Sequence, residues 1–236
     1  MSVKGLIQKL QQQVHRLRTS VHRSRPGRLR VMNLEDRRLL DATAGFLAGQ
    51  LILDGFDAGE SIQVTEDVSG QLNFTLSNGT FEAPVDSGLG LTNSNQTLTL
   101  DPGSLTSLNI NQSDADLASI TLDASLTLND LLIQNGGNVE VSDLTVNADS
   151  FINATSISDA AGSDLRITGH AEFQAGTITL GDNTSDIVNF GTLTFVSSGD
   201  VTINEDSATQ INGTNSAGTL TLVSAQAITN LSLIHI

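Results

Sequence analysis

The chain contains no cysteine, no tryptophan and no tyrosine, and its eight phenylalanines are its only aromatic residues. Without cysteine there is no disulfide framework, no thiolate metal site and no cysteine nucleophile. No run of about 18 uninterrupted apolar residues occurs, which excludes a membrane-spanning helix. Basic residues are scarce as well, 11 against 26 acids, for a net charge of −15. The motifs G-x-S-x-G, the phosphate-binding loop and H-E-x-x-H are absent. With four histidines in the whole chain, a histidine-rich metal site is excluded too. The 236 residues nevertheless suffice for one large domain or two small ones with a sizeable core.

The charges are unevenly placed. Residues 1–41 carry ten of the 11 basic side chains and three acids, for a net charge of +7, whereas residues 42–236 carry Arg166 and 23 acids, for a net charge of −22. In the head, Leu6, Leu10, Val14, Leu17 and Val21 recur at the spacing of one helical face among Arg and Lys, which predicts a basic amphipathic helix. Arg25-Pro26-Gly27 ends it, because the residue before a proline avoids the α region. Such a helix is either a leader outside the folded domain or a contact for an anionic membrane surface. A nucleic-acid partner is not expected, since a body of net charge −22 repels phosphates.

After the helix comes Asn33-Leu34-Glu35-Asp36-Arg37-Arg38-Leu39-Leu40-Asp41-Ala42. This stretch resembles the LEPR-XLL segment near the N-terminus of large exported or surface proteins of planctomycete-type bacteria. Leu34, Glu35, Arg37, Leu39 and Leu40 match the motif, and Asp36 stands where the family has proline. The resemblance spans roughly ten residues. It implies an extracytoplasmic destination and the export machinery as a partner, and says nothing of chemistry. A conventional secretory signal is not evident, because Ala42 to Ala48 is small and only weakly apolar.

From about residue 50 the chain is a succession of apolar-polar-apolar triplets. They include Leu98-Thr99-Leu100, Leu108-Asn109-Ile110, Ile120-Thr121-Leu122, Leu126-Thr127-Leu128, Val139-Glu140-Val141 and Leu144-Thr145-Val146. Others are Leu165-Arg166-Ile167, Ile178-Thr179-Leu180, Leu193-Thr194-Phe195, Val201-Thr202-Ile203 and Leu220-Thr221-Leu222. Alternation of this kind is the signal of strands, and the Gly, Asn, Asp and Ser between them supply turns. The body is therefore read as all-β.

Triplets starting at 126, 144 and 165 lie 18 and 21 residues apart, and those at 178, 201 and 220 lie 23 and 19 apart. A coil of about 20 residues predicts a parallel β-solenoid, or β-helix, with Leu, Ile, Val and Phe inside and Thr, Asn and Ser outside. Applied to residues 50–230, that period predicts about nine coils and a rod of roughly 40–45 Å. The alternative is a β-sandwich, whose strands are usually longer and whose core usually holds large aromatics. The body's texture is also similar to filamentous-haemagglutinin-like adhesin repeats, as in Asp182-Asn183-Thr184-Ser185-Asp186 followed by Val188-Asn189-Phe190-Gly191. The last six residues, 231–236, resemble the translation of a sequencing-transposase adapter, which implies a natural chain continuing past Asn230. The expected organisation is a leader and export segment at 1–41, a solenoid at 42–230 and the adapter at 231–236.

The chemistry-bearing residues are few. A lyase built on a solenoid needs Arg or Lys to take a proton or hold developing charge, and the body offers only Arg166, with Asp164 and His170 near it in sequence. Sugar-binding sites usually stack on Trp or Tyr, and neither is present. No catalytic residue is therefore assigned, and the protein is not expected to be an enzyme.

No cofactor is required, but calcium, which takes oxygen ligands only, suits a chain rich in Asp and Asn. The chosen candidates are Asp182, Asn183 and Asp186; Asn204, Glu205 and Asp206 form a second group, and Asp114 and Asp116 a third. The bland reading of all three is turn residues bonding their own backbone. The expected function is a non-catalytic structural or adhesive repeat region of a large surface or secreted protein, with an extracellular surface or matrix partner. The alternatives are a calcium-binding β-sandwich matrix module, or the scaffold of a polysaccharide-degrading enzyme whose active site lies downstream.

Overall fold

A computed structural model describes residues 42–82, 89–111 and 117–230, together with the backbone of 233–235. The amphipathic helix and the export segment (Leu34, Glu35, Arg37, Leu39, Leu40) lie outside the described residues, as do Asp114 and Asp116.

The triplets stack in parallel register. Leu126–Leu128 pairs with Leu144–Val146, which pairs with Leu165 to Ile167, and Leu165 in turn pairs with Val188. A second ladder joins Ile62, Ile120, Val139, Ile157, Ile178, Val201 and Leu220. A third joins Leu51, Leu108, Leu131, Ser150, Ala171, Leu193 and Ile211. Coils contribute short segments to these ladders, and long strands run through corners: Asp130–Val141, Ser150–Asp159 and Ile187–Ser197 each serve two ladders, and Asp164–Leu180 serves all three. The result is a β-solenoid of about six turns.

Alternation decides which side chains fill its interior. Leu126, Leu144, Leu165 and Val188 lie at 3% exposure or less, while Thr127 and Arg166 between them face out. Burying a Leu, Ile or Val side chain contributes about 1.5–3 kcal/mol, so each added coil extends one continuous apolar column. Phe173 and Phe190 meet edge to face with ring centroids 5.5 Å apart. Parallel ladders of this kind do not make a sandwich of antiparallel sheets, so the sandwich alternative and the calcium-binding sandwich module built on it are set aside.

The expectation of nine coils is corrected by the first 60 described residues. Ala42–Leu47 turns back on Gln50–Asp54 through Ala48 and Gly49, both at positive φ, and pairs with it antiparallel. Ser61–Glu66 pairs antiparallel with Leu72–Ser77, which pairs antiparallel with Thr97–Leu100. Leu98-Thr99-Leu100 is thus the arm of a hairpin and not a coil strand. Of the described residues of this region, Gln50–Asp54 and Ser61–Glu66 enter the three parallel ladders, below Ser107–Asn111 and Ser119–Asp123, while Ala42 and Thr43 pair in parallel with Phe81 and Glu82 outside them. The hairpins consume the chain that the 20-residue period had assigned to further coils.

Close stacking constrains the corners. A Cβ on Gly191 would overlap the carbonyl oxygens of Thr168 and Gly169 in the coil below, so only glycine lets the two backbones approach here.

Candidate metal centre

The site lies where two successive coils leave the second ladder. Strand Ser150–Asp159 ends in the turn Ala160 to Ser163; one coil on, strand Asp164–Leu180 ends in the longer turn Gly181 to Asp186. The turns stack, and Asp159, Asp182 and Asp186 each bring a carboxylate oxygen within 4.8 Å of the other two. Of the three candidates read from the sequence, Asp182 and Asp186 join this group. Asn183 sits beside it, giving its backbone N–H to Asp186 Oδ2 (2.8 Å) and its side-chain amide to Asp182 Oδ1 (2.9 Å).

Asp186, 8% exposed, accepts at both oxygens, from the Asn183 N–H and from Gly162 N–H at 2.6 Å. It thereby ties the upper turn to the lower one. Asp159, 9% exposed, uses Oδ2 in the opposite sense, accepting from Gly181 N–H in the upper coil (2.9 Å) and Ser163 Oγ in its own turn (3.1 Å). Its Oδ1 is buried with no hydrogen-bond partner. Burial pushes the Asp159 carboxyl above its ordinary range and the Asp186 charge adds to the push, while the Gly181 and Ser163 hydrogen bonds pull the other way. Asp182 is exposed at the rim of an open cleft of about 290 Å³, also lined by Asn183, Thr184, Asp186 and Asn204.

The second candidate group does something else. Past Val188 to Phe190 the first ladder has no further strand among the described residues, and side chains take its place. Asp206 Oδ2 accepts from Val188 N–H (2.9 Å) and the Asp206 N–H donates to the Val188 carbonyl (2.8 Å). Glu205, 3% exposed, accepts from Phe190 N–H (3.0 Å), Ser207 Oγ (2.9 Å) and Thr209 Oγ1 (2.6 Å). Asn204 donates its amide to the Gly181 carbonyl at 2.7 Å. These groups satisfy backbone that a further strand would otherwise pair.

Arg166 is ion-paired with Asp164 at 2.6 Å on the outer face. His170 is directed elsewhere, its ring Nδ1 2.7 Å from Thr192 Oγ1, while the His170 backbone N–H donates to Asp149 Oδ1 at 2.8 Å.

Sequence reasoning missed Asp159 and the fully buried Asn215, whose Oδ1 accepts from Phe195 N–H at 2.7 Å, and it singled out Glu205 as a calcium candidate rather than as the acceptor of the Phe190 N–H. For Asp159 and Glu205 a signal was present. Each stands two residues beyond an inward aliphatic, Ile157 or Ile203, and so occupies an inward phase where an acid needs a partner.

Fold and site together define a β-solenoid with stacked acidic corners. No protein-family model, curated protein or solved structure matches the chain.

Proposed function

We propose that residues 42–230 are a non-catalytic structural or adhesive repeat region of a large bacterial cell-surface or secreted protein. The observation that carries this reading is the register of the coils, which presents rows of outward side chains such as Thr127, Thr145, Arg166 and Asn189 on successive turns. A stacked solenoid is a quasi-one-dimensional spacer whose side offers a long repeating surface. The pairing of Arg166 with Asp164 agrees with a structural role for the body's single basic side chain. The LEPR-XLL-like segment supports delivery to the outside through the export machinery, and the adhesin-like texture supports an extracellular surface or matrix partner. The strongly acidic body disfavours nucleic acid, and any membrane contact falls to the basic segment before residue 42.

The test is protease treatment of intact producing cells, followed by immunoblotting with an antibody to residues 117–230. Loss of the signal while a cytoplasmic marker survives supports the reading. Protection of the signal until the cells are lysed, with none of it in the medium, overturns it.

A further inference from the structure

We propose that Asp159, Asp182 and Asp186 form a coil-bridging site for a divalent cation of the calcium type, with Asp159 as its buried ligand. Two observations carry this independently. The first is the convergence of three carboxylate oxygens within 4.8 Å of one another from two successive turns. Calcium binds oxygen at about 2.3–2.6 Å, so two of its ligands stand at most about 5 Å apart. The second is the unpartnered, buried Oδ1 of Asp159, a carboxylate oxygen withdrawn from water beside two other carboxylates. Buried acceptors are paired in the great majority of cases, so an orphan of this kind calls for an explanation, and a cation held by the three carboxylates supplies one.

The chemistry of the donors selects among cations. Oxygen-only ligands with no His and no thiolate disfavour zinc and copper. A mixed set of one exposed and two buried carboxylates beside an open cleft suits a cation that tolerates irregular coordination and keeps some water. Magnesium demands near-octahedral geometry and fits less well. The hydrogen bonds already present hold the ligands in place without consuming them. Asp159 Oδ2 and both oxygens of Asp186 are positioned by N–H groups of Gly181, Gly162 and Asn183, and Asp159 Oδ1 is left free. A cation here would pin one coil to the next and relieve the repulsion of three close negative charges.

This inference concerns binding and not location, so its test is separate from that of the surface role. The full chain, stripped of metal with a chelator, is titrated with calcium chloride by calorimetry at pH 7 in about 0.15 M salt, which screens diffuse attraction to the acidic surface. The expected result is one saturable site with Kd of about 10⁻⁴–10⁻³ M and a rise in Tm on loading. Asp182→Asn, at an exposed position, is expected to leave the metal-free Tm no lower than the parent's, since it removes one of three close negative charges, and to weaken binding about tenfold or more. Asp159→Asn is expected to abolish the calcium-dependent rise in Tm. Asp123→Asn, an exposed acid elsewhere on the solenoid, is expected to bind as the parent does. Absence of saturable binding, as when Asp159 simply holds a proton, overturns the proposal. So does binding that Asp182→Asn and Asp159→Asn leave intact, or that Asp123→Asn weakens equally.

Discussion

The region before residue 101 and the region after 117 are written in the same apolar-polar texture and fold in different ways. Leu72–Ser77 and Thr97–Leu100 alternate as regularly as Ile178 to Leu180, yet the first two pair antiparallel with each other and the third stacks parallel on its neighbours. The difference lies between the strands. In the first region, turns such as Asp67 to Gly70 reverse the chain within a few residues: Asp67 Oδ1 accepts from the Ser69 and Gln71 N–H groups, and Gly70 takes φ +80°. A reversal that short dictates antiparallel pairing. In the second region every strand returns to its neighbour only after a full circuit of 18 to 23 residues, and pairing is parallel. The triplet says that a strand forms; the distance to the next similar triplet says which partner it takes.

This contrast can be broken most severely in the coils. Ile178→Asp places a charge in a fully buried position of the stacked column, and a loss of about 4 kcal/mol or more is expected, read as a collapsed thermal or denaturant transition. Leu144→Asp should behave alike, whereas Thr145→Ser and Thr179→Ser at half-buried outward positions should stay within about 0.5 kcal/mol. Glu205→Ala removes the acceptor of the Phe190 N–H and of the Thr209 hydroxyl, and a loss of about 2–3 kcal/mol is expected in urea unfolding. Gly191→Ala forces two coil backbones apart at one corner, at an expected cost of about 1–3 kcal/mol in the same assay.

The smallest effect belongs to the hairpin turn. Asp67 is held down to about 2 by hydrogen bonds from Ser69 and Gln71. A carboxyl lowered from 3.8 in this way stabilises the fold above about pH 4, and its contribution fades as pH falls towards 2. Asp67→Ala should therefore speed amide exchange at Ser69 and Gln71 near neutral pH, with little change in the coils. The gap between variant and parent should close as pH falls from 4 to 2; a gap that stays constant would contradict the role given to this carboxylate.

Much of the solenoid was legible because parallel stacking repeats the side-chain pattern at the interval of the coil. The spacings of 18 and 21 residues from 126 to 165, and of 23 and 19 from 178 to 220, are the very pairings observed: Leu126 on Leu144 on Leu165, and Ile178 on Val201 on Leu220. The inward and outward assignment of Leu165, Arg166 and Ile167 was legible from alternation alone. The hairpins were not, because Leu98-Thr99-Leu100 carries no local mark that distinguishes a hairpin arm from a coil segment. The acidic corner was legible in part. Asp182 and Asp186 share one turn and declare themselves together, whereas Asp159 lies 23 residues before Asp182 and meets it only when coils stack. Glu205 stood out only as a calcium candidate and Asn215 escaped notice, because the role of both, standing in for a strand, depends on where a ladder stops.

The central claim is parallel stacking in this register, and the absence of cysteine makes it directly measurable. Cysteines introduced at Thr145 and Arg166, outward neighbours on adjacent coils, can carry a pair of nitroxide spin labels. Adjacent strands lie about 4.8 Å apart, so the labels should broaden each other strongly, at separations below about 15 Å. A second pair at Thr127 and Arg166, two coils apart, should broaden less. If the Thr145 and Arg166 labels give the spectra of isolated spins, the register is wrong and the stacked-coil account fails with it.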